Sequence, residues 1–119
     1  YRVFAVLQNT DDVLSAIIGD AQYPTFLIQV LAFFSIQLAG DTNGLNPAFY
    51  GAFPSLAFDS WITIGLEQSP VAGEGNVNIL EDSTEPWVNT FESGNNLNIS
   101  GPVGGGWYAF AGDSNSISG

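Results

Sequence analysis

The chain has 119 residues and a formal net charge of −11, with 12 Asp or Glu against a single basic residue, Arg2, and no His, Cys or Met. Zinc and most other transition-metal centres, and Ser-His-Asp or Cys-His catalysis, are thereby excluded. Without Lys there is no Schiff base, lysine phosphate loop or Lys–Asn cross-link, and one Arg cannot track nucleic acid or an anionic membrane.

In chain order, residues 1–8 (YRVFAVLQ) are β-branched and aromatic and predict a strand, followed by an Asn9-Thr10-Asp11-Asp12 turn. Residues 13–18 (VLSAII) predict a second strand, ended by Gly19-Asp20. Residues 26–39 (FLIQVLAFFSIQLA) form the most apolar stretch. Its strict alternation fits a strand better than its helical stripe fits a helix, and at 14 residues it is too short for the roughly 20 that span a bilayer. A loop at 40–47 precedes an alternating run at 56–66 (LAFDSWITIGL), read as a strand, and then a loop at 68–75. Short strands are expected at 77–80, 87–91, 97–99 and 107–110, with an acidic turn at 81–86. Many short strands punctuated by Gly, Pro and Asn predict an all-β fold, a single antiparallel β-sandwich of Ig-like or jelly-roll-like form over residues 1–111. Residues 112–119 (GDSNSISG) read as a Gly/Ser/Asn-rich tail or linker. The opening inside a strand and the loose end read as a piece cut from a longer precursor.

Asp41-Thr42-Asn43-Gly44 resembles the start of an oxygen-ligand calcium loop, making Asp41 and Asn43 candidate calcium ligands. The EF-hand pattern breaks at Leu45 and Ala52. Asp11-Asp12, Glu81-Asp82 and Asp113-Ser114-Asn115 are further acidic clusters that a hard cation would stabilise. Paired carboxylates can hydrolyse glycosides without His. Twelve acids, most beside turn residues, make that signal unspecific, and the chain is read as a non-enzyme. Trp61, Trp87 and Trp107 suit either a core or a sugar platform. Gly104-Gly105-Gly106 lets a backbone approach closely before Trp107. Asn98-Ile99-Ser100 is the chain's Asn-x-Ser/Thr sequon, so Asn98 is a candidate glycosylation site.

Charged residues are 11% of the chain, against roughly 25% in an ordinary soluble domain. Sheet edges are commonly guarded by Lys, which is absent. Shielding by neighbouring copies in a polymer or tandem array accounts for both features, with bound cations or glycans as the other possibility. A terminal strand lent to the next subunit closes such edges. Residues 26–39 and 1–8 are the expected contacts.

Tyr1-Arg2-Val3-Phe4, Ala16-Ile17-Ile18-Gly19-Asp20-Ala21, the FPSLAFDSWITIG block at 53–65, Pro86-Trp87 and Gly105-Gly106-Trp107 resemble an uncharacterised extracellular β-rich domain. That domain recurs in secreted and surface proteins of aquatic bacteria and microalgae. The resemblance implies an extracellular or cell-surface structural module, no catalytic residues, and a further apolar strand beyond position 119 that this chain lacks or exchanges. The expected function is a self-assembling subunit of a fibril or surface array. A calcium- or carbohydrate-binding module of a secreted adhesin is the alternative.

Overall fold

The structure, a computed structural model, describes residues 5–28, 46–58 and 60–116. Within them the fold is β-rich, built on two small antiparallel sheets. β1 (Ala16–Gly19), β5 (Gly105–Tyr108) and β3 (Asn78–Leu80) form one sheet in the order β1-β5-β3. β2 (Thr25–Leu27) pairs with β4 (Leu97–Ile99) in the other. One short helix, α1 (Val88–Glu92), and 3-10 turns at Pro47–Phe49, Pro54–Phe58 and Ser114–Ser116 complete the elements. No helix among the described residues is long and apolar enough to cross a membrane.

Register explains the core. Ile17, Trp107 and Ile79 lie side by side across β1, β5 and β3, so their side chains share the inner face. Trp107 is buried there, with Trp87 from the start of α1 tilted against it at 5.9 Å between ring centroids. Leu97 and Ile99 enter the same cluster from β4, and Phe91 from α1. Both indole N–H groups are satisfied by backbone, Trp107 donating to the Thr63 carbonyl (3.2 Å) and Trp87 to the Leu80 carbonyl (3.0 Å). Gly106 makes the close β1–β5 approach possible. Its φ of 154° and a Cβ that would overlap the Ile17 carbonyl oxygen restrict the position to glycine.

Several expectations are corrected. Residues 5–8, the described part of the expected first strand, form no ladder, and Val6 is 92% exposed. The N–H groups of Gln8 and Asn9 instead donate to the Asp12 carboxylate, which closes a local turn. The second strand starts later, at Ala16, with Val13 in only an isolated bridge. The described part of the expected strand at 56–66 is a 3-10 turn and, from residue 60, irregular backbone outside either sheet. Pro54 at its head lacks a ladder donor and holds a helical φ. Of the face predicted from the alternation, Ile62 and Ile64 are buried, whereas Phe58 is exposed. Two carbonyls of this stretch are taken by side chains, Thr63 by Trp107 and Ile64 by Asn115 (2.9 Å). The expected strand at 87–91 is helical. The Glu81 carboxylate accepts the Trp87 and Val88 N–H groups at 2.7 and 2.6 Å, satisfying donors that a helix start leaves open. Trp87 and Phe91, four residues apart, then face the core together. β5 starts at Gly105, two residues before the expected strand. The apolar stretch at 26–39 is described only at its start, where Phe26 and Leu27 lie in β2.

Residues 112–116 lead into an anchored turn. The Ser116 hydroxyl, buried, donates to the Phe110 and Asp113 carbonyls. Asn115 accepts from the Gly75 N–H (2.8 Å) while donating to the Ile64 carbonyl, which joins three distant segments. Gly65, at φ 66°, permits this clasp, because a Cβ there would overlap the Asn115 carbonyl oxygen.

Replacing Asn115→Ala leaves the Gly75 N–H and Ile64 carbonyl without their partner. The expected loss is about 2–3 kcal/mol in urea unfolding at unchanged m-value. Ser114→Ala, which removes one exposed bond to the Gly73 carbonyl, is expected to cost under about 1 kcal/mol. Equal losses for the two variants would remove the clasp from this account.

Candidate functional site: an uncovered sheet face

The acidic residues come first, because charge is what this chain has in unusual balance. Among the described residues, Asp12, Asp20, Glu74, Glu81, Asp82, Glu85 and Asp113 accept backbone N–H groups in turns or at segment junctions. Asp12 takes those of Gln8 and Asn9, Asp20 those of Gln22 and Tyr23, and Asp82 that of Thr84. Glu74 takes that of Val71, Glu81 those of Trp87 and Val88, Glu85 that of Val103, and Asp113 that of Phe110. The neighbours Glu81 and Asp82 therefore serve different tasks, the head of α1 and the turn at Thr84. Among the described residues no three acids converge as a metal-binding group. The calcium candidates Asp41 and Asn43 lie outside the described residues.

Two carboxyls sit below their ordinary values through these bonds. Asp12 is lowered chiefly by the Asn9 N–H and then by the Asn9 side chain. Asp82 is lowered by the Thr84 hydroxyl and then by the Thr84 N–H. Both hold their charge to keep a turn closed.

The other candidates divide by burial. Trp87 and Trp107 are core residues, and Trp61 is half-buried. Asn98 is exposed between the buried Leu97 and Ile99. It borders a shallow groove of about 150 Å³ that Glu85, Pro86 and Ser100 also line.

One apolar sheet face was not among the candidate sites. On the side of the three-stranded sheet opposite the core, register aligns Ile18, Gly106 and Leu80 in one row and Ala16, Tyr108 and Asn78 in the next. Ile18 is 65% exposed, Leu80 45% and Phe110 62%. Phe110 meets Tyr108 edge to face at 5.7 Å between centroids, extending the patch beyond β5. Gly106, without a side chain, lies between Ile18 and Leu80 in that row. Antiparallel sheets with one solvated face normally turn polar residues outward. Here the outward residues are mainly apolar, the pattern of a face that meets another surface. The sequence signal was the run Trp107-Tyr108-Ala109-Phe110, which is apolar on both sides of the pleat.

No protein-family model matches the chain, no curated protein matches it in sequence, and no solved structure matches it in shape.

The carboxylates at Asp12 and Asp82 have folded pKa values below the ordinary 3.8. Their contribution to stability is complete above that value and is lost as pH falls through the folded values. The stability difference between the wild type and an Asp12→Asn, Asp82→Asn variant is therefore expected at neutral pH and to close as the pH falls through the folded values. Urea unfolding across pH measures it; a gap that persists undiminished in acid would contradict the assignment.

Proposed function

We propose that the chain is an extracellular or cell-surface structural subunit that assembles with copies of itself into a fibril or repetitive array. Support comes chiefly from one observation, the apolar outer face of the β1-β5-β3 sheet carrying Ile18, Leu80 and Phe110. A second support is the scarcity of charged residues, 11% of the chain against roughly 25% in an ordinary soluble domain. In this reading the domain is a β-sandwich completed by its neighbour, with strand addition at an open edge joined to packing of the apolar face. The resemblance of the FPSLAFDSWITIG block to extracellular modules points the same way.

The net charge of −11 sets a condition on this assembly. Copies repel at low ionic strength, and salt shortens that repulsion to about 10 Å at 0.1 M. Apolar association is therefore expected to strengthen as salt rises, whereas association through ion pairs would weaken. Sedimentation and negative-stain microscopy across salt and concentration test this. Ile18→Glu with Phe110→Glu is expected to reduce assembly at least tenfold while circular dichroism stays native. A monodisperse 12.6 kDa monomer at high concentration and high salt would overturn the proposal.

A further inference from the structure

The sequon has a setting that its composition does not reveal. Asn98 is the middle residue of β4, where Leu97 and Ile99 turn into the core and Asn98 turns out to solvent. Ile99 at the intervening position is not Pro, and Ser100, which supplies the sequon hydroxyl, is exposed just past the strand end. Among the described residues the Asn98 carboxamide makes no hydrogen bond, unlike Asn9, Asn46, Asn78 and Asn115, whose side chains are all engaged.

Across the strand pair, Phe26 stands directly opposite Asn98. Directly opposed residues share a face with Cβ atoms about 5 Å apart. Phe26 is 49% exposed, so part of its ring is open to solvent beside the free carboxamide. The groove bordered by Asn98 and Ser100 also contains Glu85. One Glu85 carboxylate oxygen accepts the Val103 N–H.

We propose that Asn98 is the acceptor of an N-linked sugar whose first ring rests on Phe26. The apolar face of a pyranose covers an aromatic ring, and its hydroxyls find acceptors such as Glu85 along the groove. The donor is a sugar carried on a lipid pyrophosphate. The Asn98 side-chain nitrogen forms a bond to the anomeric carbon, the bond from that carbon to the pyrophosphate oxygen breaks, and the lipid pyrophosphate leaves with the electron pair. One amide proton is released to a base, and nothing is oxidised or reduced. The attached sugar covers part of an exposed aromatic side chain and adds polar surface to a chain that has little charge.

The test is expression of the full chain through the secretory pathway of a glycosylating eukaryotic cell, read by intact mass. The expected product is heavier than 12.6 kDa by one oligosaccharide. Peptide N-glycosidase removes that increment and leaves a carboxylate at position 98. Asn98→Gln and Ser100→Ala each abolish it, while Phe26→Ala retains it. Enzymatic removal of the sugar is expected to lower the wild-type Tm by about 2–4 °C and to leave the Tm of Phe26→Ala unchanged. Presenting the unfolded chain to a purified oligosaccharyltransferase with its lipid-linked donor gives a readout independent of secretion, with modification of Asn98 again expected. A chain that is secreted folded at its unmodified mass, or left unmodified by the purified enzyme, overturns the site. A Tm unaffected by sugar removal in the wild type overturns the Phe26 seat. None of these readouts depends on self-assembly, so the two proposals stand or fall separately.

Discussion

Trp107 is the side chain around which the described structure is organised. It lies on the central strand of the three-stranded sheet, between Ile17 and Ile79, so both sheet pairings converge on it. Its ring packs on Trp87, and its N–H donates to the Thr63 carbonyl of the irregular stretch. A tilted aromatic pair of this kind contributes about 1 kcal/mol beyond the area it buries. The geometric consequence matters more. One indole links the sheet, the short helix and a stretch that has no ladder of its own. Gly106 beside it lets β1 come close enough for the row to form.

Polar groups do the remaining positioning, and mostly through backbone. With no Lys and one Arg, the acids have almost no cationic side chains to pair with. They find partners in N–H groups, at turns and at the head of α1. Charge-assisted bonds of this type are stronger than neutral ones and local in reach. They shape loops without building an ion-pair surface. The clasp made by Asn115 is the neutral counterpart, joining Ile64 and Gly75 across long sequence separations.

These two economies leave the outer sheet face as the feature without an internal role. The inner row of the sheet is consumed by the core, while Ile18, Leu80 and Phe110 remain open. A chain with more ionic residues would ordinarily place Lys, Glu or Thr there. The other sheet differs: there Asn98, without a side-chain hydrogen bond among the described residues, stands opposite the half-exposed Phe26.

Residue content alone decided the chemistry this chain cannot perform, since imidazole, thiolate and amine groups are absent wherever the backbone runs. It also marked the β-rich character and the strands at 97–99 and, one residue too early, at 77–80, where β-forming residues sit between turn signals. Alternation over 58–64 was right at Ile62 and Ile64, which are buried, and wrong at Phe58, placed on the same face but exposed because it ends a 3-10 turn. Pairing itself belonged to the tertiary structure. Whether a carbonyl meets another strand, an indole or a carboxamide depends on which distant residue arrives, as Trp107 does at Thr63 and Asn115 at Ile64. The helix at Val88–Glu92 was misread for a related reason: a segment of five residues is too short for its period to be plain, and Glu81, contributed from outside it, supplies the acceptor for its first N–H groups. The uncovered face and the opposition of Phe26 to Asn98 were likewise set by register, which a linear pattern does not contain.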